Sequence, residues 1–210
     1  MTYTPESFAA SLGLDFDDYV SITSFTHHPF YTEFPVEVQD NWRQPGSWNL
    51  PIDEMARVID SAIENGYTVA WGGDVSEDGF TRKGLALLYD TENPDLEGSD
   101  MAHWLKMSAA EKANKLKDQG VYIKEVTPTQ EQRQKDFDDW SLTDDHGMLI
   151  FGIAKDQWGN KYYMVKNSWG ESGNYKGIYY VTPEFVRAKT MNVTVNKAAV
   201  SKNFRDKYGF

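Results

Sequence analysis

Three residues in the last third of this sequence have the types and spacing to work together. His146 follows Asp144 and Asp145 in DDHGMLIFGIA. Asn167 opens Asn-Ser-Trp-Gly twenty-one positions later, and Trp169 lies two residues beyond it. An imidazole can take a proton from a thiol and return it to a leaving amine. It needs a third group to hold its ring and tautomer, and an asparagine side-chain oxygen does this without adding charge. An indole over the pair could keep water from their hydrogen bond, which strengthens it. The same residues also suit a plainer arrangement, a satisfied strand-end histidine and a turn asparagine, and spacing alone does not separate the two. Asp144 and Asp145 are equally open, either holding an imidazolium or lying solvated in a turn. The thiol that such a pair would serve is missing, because the chain has no cysteine.

Two strands must position the pair. MLIFGIA (148–154) and the run over 161–166 are short, β-rich and joined by KDQWGN, which reads as a hairpin turn. Adjacent antiparallel strands joined this way bring the residue before the first beside the residue after the second. GIYYV and MNVTVN are two further β-rich runs, with TPEFVRAK as a short helix between them. Upstream, TPESFAASLGL reads as a helix with Thr4 as N-cap, Pro5 at the first position and Gly13 as the stop. Residues 14–50 have no clear period and are expected to be a long connection or a few short strands. PIDEMARVIDSAIENGY has an apolar face through Ile52, Met55, Ala56, Ile59, Ala62 and Ile63, and predicts the longest helix. YTVAW follows as a buried strand. Residues 108–118 and 129–140 read as polar helices, with Ser108 to Gln134 at the surface. The order implies an α+β fold with an antiparallel sheet in two-layer or barrel-like packing. One domain is expected over residues 1–210, helical and loop-rich over 1–140 and β-rich over 141–210.

Composition narrows the partners. The chain has 210 residues, 40% hydrophobic and 25% charged, which suits one globular domain. A formal net charge of −11 argues against nucleic-acid binding, which draws on Lys and Arg against phosphate. No apolar run is long enough to span a membrane, and no basic-then-apolar leader starts the chain. Without cysteine there is neither a disulfide nor a thiolate metal site. His27 and His28 invite a metal reading, but neighbouring side chains in a strand point to opposite faces, and no carboxylate spacing completes a site. No metal is therefore expected. His103 reads as a packed or surface residue, and Asn192-Val-Thr194 as a glycosylation sequon by letter only.

The run DDHGMLIFGIA…YYMVKNSWGESGNYKGIYYVTPEFV resembles the His–Asn half of papain-like cysteine peptidases, and more narrowly the aminopeptidase C and bleomycin hydrolase family. The upstream stretches MTYTPESFAASLGL, DDYVSITSFTHHPFY and PIDEMARVIDSAIENGYTVAWGGDVSEDGF are similar to the narrower family as well. The resemblance covers nearly the whole chain and is most specific over 146–182. It implies a papain-like fold and a cysteine-type peptidase, most simply an aminopeptidase acting on peptides without metal or organic cofactor. His146 would be the general base and acid, Asn167 its orienting group and Trp169 its shield. Trp71 and Asp74 become candidates for the wall of the cleft.

The resemblance also implies what this chain lacks. In the family the nucleophilic cysteine starts a long helix in an N-terminal half, preceded by a Gln that helps form the oxyanion hole. Nothing here matches that half, so the chain reads as the C-terminal part of a longer enzyme and its missing half as its first partner. Gln44 and Ser47-Trp48 mimic the nucleophile motif, but the spacer is too short and the next helix aligns elsewhere, so Ser47 is expected in a surface loop. The family further implies cytoplasmic homo-oligomers, commonly hexamers with sites facing an inner cavity, and a C-terminus that restricts the cleft. The tail NFRDKYGF departs from the family's usual ending, which leaves that restriction open. The alternative is a catalytically inactive papain-fold pseudo-peptidase or interaction module.

Overall fold

The computed structural model describes residues 2–39, 41–81, 83–90, 102–108, 111–112, 115 and 125–208. The predicted 108–118 helix falls largely outside these residues.

Helix α1 (Pro5–Ser11) starts as its sequence dictates. The Thr4 side chain accepts from the Ser7 amide and the Ser7 side chain accepts from the Thr4 amide, a reciprocal capping box. Residues 14–50 resolve into short strands: β1 (Tyr19–Thr23), β2 (Glu33–Pro35) and β3 (Gly46–Asn49). Helix α2 (Ile52–Glu64) has Pro51 at its N-cap and Asp53 and Glu54 in its first turn, where carboxylates favour the positive end of the helix dipole. It buries Ile52, Met55, Val58, Ile59 and Ala62. Each fully buried aliphatic chain of this kind contributes roughly 1.5–3 kcal/mol relative to exposure.

β4 (Val69–Gly73), the short strands β5 (Phe80–Thr81) and β6 (Leu85–Ala86), β7 (His146–Lys155), β8 (Lys161–Lys166), β9 (Ile178–Val181) and β10 (Thr190–Asn196) complete one ten-stranded sheet in the order β2-β3-β1-β10-β4-β7-β8-β9-β6-β5. Strands from 1–140 and 141–210 interleave in it, with β4 between β10 and β7. The pairing is mostly antiparallel, and β1–β3 and β6–β9 are parallel. Both parallel pairs join strands distant enough in sequence to allow a crossover connection. Helices α2 and α4 (Pro183–Lys189) pack with the sheet around Val20, Ile22, Met55, Ile59, Trp71, Ile150, Val165, Phe185 and Val193. A short helix, α5 (Lys202–Tyr208), closes the described chain.

Helix α3 (Gln130–Asp138) was expected at the surface, yet it buries Arg133 and Gln134. The Arg133 guanidinium donates to the main-chain carbonyls of Ser24, Arg187, Ala188 and Thr190 and lies over the Phe25 ring. These four carbonyls compensate its desolvation. A polar helix by composition is thereby sewn to β1, α4 and β10. A second, smaller cluster of Phe25, Phe34, Val36, Leu142 and Met191 fills the space beneath it.

Candidate active site

β7 and β8 pair antiparallel, with Leu149 opposite Lys166 and Ile150 opposite Val165. Side chains alternate faces along a strand. Extending this register puts Asn167 opposite Met148 and Trp169 opposite His146. His146, Asn167 and Trp169 therefore leave the sheet on the face that carries Ile150 and Val165, at the end of that core rather than within it. β4 supports the other side, with Gly73 opposite His146 and Trp71 opposite Met148. A Cβ on Gly73 would collide with the Lys189 carbonyl, so only glycine lets β4 run this close to α4 beside the histidine.

The three side chains meet as their positions require. His146 Nε2 lies 3.0 Å from Asn167 Oδ1. With the oxygen accepting, Nε2 carries the proton and Nδ1 of the neutral ring keeps its lone pair. No described residue hydrogen-bonds Nδ1. The Trp169 ring lies 5.0 Å from the imidazole at an interplanar angle of 34°, and it meets Phe80 and Tyr179 edge-on on its way down to the core. The indole is half exposed, covering the imidazole from one side. Asn167 is buried, and its Nδ2 has no hydrogen-bond partner among the described residues. Leaving such a donor unmade costs about 1–3 kcal/mol, so this amide is not placed for stability. Its main chain is pinned, because Asn167 N donates to the Gly177 carbonyl at 3.1 Å. Gly177, at φ +80°, passes so near the Gly170 carbonyl that a Cβ would clash, which closes the loop carrying Trp169.

Two aspartates hold the segment leading to His146. The buried Asp74 accepts from the Thr143 amide at 2.9 Å and the Ser76 amide at 2.9 Å. Asp145 answers from the other side, accepting from Val75 N at 2.9 Å and Ser76 N at 3.2 Å. Asp74, expected on a cleft wall, is thus a buried clamp, and Asp145 stabilises the neighbouring turn rather than an imidazolium. Trp71 lies 1% exposed in the core and donates from Nε1 to Thr190 Oγ1 at 2.8 Å. In the sheet it stands beside Met148 of β7. Reasoning from the sequence missed this reciprocal clamp, although its signal was present: an aspartate just after Gly72-Gly73 and another just before His146.

The remaining candidates lie elsewhere. Ser47 is not in a surface loop. It is buried in β3, where its hydroxyl shares a 2.8 Å hydrogen bond with Ser21. His103 is exposed, and Asn192 and Thr194 lie within β10. An open groove of about 620 Å³, lined by Ala70, Gly147, Leu149, Lys166, Ser168 and Thr194, belongs to outward-facing positions of the same strands. Trp71, Met148 and Asn167 also line it.

The Peptidase C1-like family matches residues 1–209, and the chain belongs to that family. Aminopeptidase E of Lactobacillus helveticus is 27% identical over 190 residues, covering 88% of this chain and 36% of that protein. Aminopeptidase C of the same organism is 24% identical over 208 residues, covering 97% of this chain and 40% of that protein. The crystal structure of PepW from Lactobacillus rhamnosis HN001 superposes with a TM-score of 0.67 at 20% identity, over 98% of this chain and 41% of that one. The fold is papain-like α+β. The chain spans about two fifths of the length of the aminopeptidase C it matches. Among the described residues no helix is long and apolar enough to cross a membrane.

Proposed function

We propose that this chain supplies the general base and its orienting amide to a cysteine aminopeptidase whose thiol comes from a segment outside these 210 residues. The observation that carries the reading is the 3.0 Å contact from His146 Nε2 to Asn167 Oδ1, which leaves Nδ1 as the free base. A cysteine thiol brought to Nδ1 gives up its proton there, and the thiolate attacks the scissile carbonyl. The imidazolium then returns the proton to the leaving amine, releasing it and leaving a thioester. In the second half Nδ1 takes a proton from water, the hydroxide attacks the thioester, and the thiol is restored. Asn167 keeps the ring in register for both halves without a charge that would trap the imidazolium. Trp169 limits water at their hydrogen bond. The aminopeptidase names of the relatives support a peptide with a free amino end as substrate. A homo-oligomer with inward-facing sites belongs to the same proposal, and sedimentation of the joined protein would read it.

The absence of cysteine favours a second reading for the chain in isolation, a papain-fold module that does not hydrolyse peptides. One experiment separates the two. The 210-residue chain and the same chain joined to the Cys-bearing N-terminal segment of a relative are assayed on aminoacyl amides. The proposal expects no turnover from the first. The second should turn over, lose activity to a thiol alkylator and lose it again on His146→Ala. Hydrolysis by the chain alone, or full activity in the joined His146→Ala protein, would overturn it.

A further inference from the structure

A second histidine cluster lies away from the His146 pair. His27 and His28 occupy a bend after β1, not a strand, so their rings are not forced to opposite faces. His27 Nε2 lies 2.9 Å from Glu37 Oε2 and His28 Nε2 lies 2.7 Å from Glu37 Oε1. The three donor atoms fall within 4.8 Å of one another. Both premises that argued against a metal from the sequence therefore fail: the rings converge, and a carboxylate ten residues on completes the set.

We propose that His27, His28 and Glu37 form a site for a borderline divalent cation of the Zn²⁺ class, bound through both Nε2 atoms and the carboxylate with water in the fourth place. Two imidazoles and a carboxylate are a donor set that suits Zn²⁺. The rings are preorganised. His27 stacks on Phe137 at 5.1 Å and 8°, and His28 stacks on Phe34 at 4.1 Å and 24°. Coordination by His27 Nε2 requires the proton on Nδ1, and of the two Gln134 amide atoms beside that nitrogen, Nε2 at 3.1 Å and Oε1 at 3.3 Å, it is Oε1 that would accept it once an ion is bound. Such outer partners fix tautomer and ring orientation in metal sites. Gln134 is itself held, accepting from the Thr26 amide at 2.5 Å and donating to Asp138 at 2.7 Å. The Glu37 side chain is 52% exposed, so it can swing out to admit an ion between itself and the rings, and solvent reaches the fourth position. A chain of net charge −11 also draws cations toward its surface. A bound ion would clip the bend after β1 to the segment after β2 and, through Gln134, to α3.

The test uses the 210-residue chain stripped by a chelator. Zn²⁺ is titrated calorimetrically, and Co²⁺ serves as a spectroscopic probe of coordination. One equivalent of Zn²⁺ should bind and raise the melting temperature, and Co²⁺ should give the visible absorption of a four-coordinate site. His28→Gln and Glu37→Gln should each weaken Zn²⁺ binding by at least roughly tenfold, and His103→Gln should leave it unchanged. The ring signals of His27 and His28 in nuclear magnetic resonance spectra should move with Zn²⁺ in the unmodified chain, a readout that does not depend on any variant folding. Ring signals that stay still, or Zn²⁺ binding that survives both substitutions, would overturn the site.

Discussion

Histidine appears in two settings in this molecule, and the difference between them lies in what faces Nε2. At His146 the partner is a neutral amide oxygen, buried with Asn167, under one indole. At His27 and His28 the partner is a single carboxylate shared by two stacked rings near solvent. A carboxylate favours the charged imidazole, which then holds on to its proton, whereas an amide orients the ring without adding charge. The first arrangement suits a base that must gain and lose a proton in every cycle. The second suits a bound cation held between both rings and the carboxylate. Helix α3 connects them, since Gln134 buttresses His27 and the chain beyond α3 runs through Thr143 and Asp145 to His146.

The widest separation between the two settings should appear in catalysis. In the protein joined to a thiol-bearing segment, His146→Ala should lower kcat/KM by about 10²–10⁴-fold, the range a positioned general base supplies. His28→Ala in the same protein should leave kcat/KM essentially unchanged. Equal losses from the two substitutions would erase the distinction. The next largest effect tests the shared support. Arg133→Met removes the guanidinium donated to the carbonyls of Ser24, Arg187, Ala188 and Thr190 and should destabilise the fold by roughly 3 kcal/mol or more. Urea denaturation measures it, and a loss under about 1 kcal/mol would show that α3 is not the strut inferred here.

The two settings were not equally legible in the sequence. Strand periodicity and the hairpin turn predicted β7 and β8 and brought His146 beside Asn167. The helices α1, α2 and α4 followed from caps and apolar spacing. What local pattern cannot carry is pairing between distant segments. The parallel partners β1–β3 and β6–β9, the burial of Arg133 in a helix with a polar composition, and Glu37 closing on His27 and His28 all depend on tertiary contacts. Ser47 shows the same limit, because a Ser-Trp beside a helix start reads as a loop until β3 finds β1 and β2. Asp74 was noticed for its position but not as part of a clamp, since a buried carboxylate accepting two main-chain amides looks, in sequence, like any aspartate after a glycine pair.

Exchanging the partners should exchange the behaviours. Asn167→Asp gives His146 the kind of partner that His27 has. A carboxylate in place of the amide that faces Nε2 should favour the protonated ring in the variant relative to the unmodified chain. Histidine ring signals followed against pH report it directly, and the acid limb of kcat/KM in the joined protein should move up with it. A midpoint that stays put would mean the Asn167 oxygen does not govern this ring.

The reverse exchange, Glu37→Gln in the presence of chelator, should give the smallest effect. Burial pushes the Glu37 carboxyl up, but the hydrogen bonds from His28 and His27 outweigh it and hold the group below the ordinary carboxylate range. A carboxylate depressed in the folded state adds stability above its unfolded value, about 4.3, and loses it as pH falls through the folded value. The unmodified chain should therefore melt higher than Glu37→Gln at neutral pH, and the gap should close below about pH 4.3. Because the carboxylate is half exposed, solvent screening keeps that gap under about 1 kcal/mol. Melting temperatures across the acid range decide the matter. A gap that persists undiminished in acid would assign the contribution of Glu37 to packing, and the contrast between an amide that orients and a carboxylate that holds charge would then rest on Asn167→Asp alone.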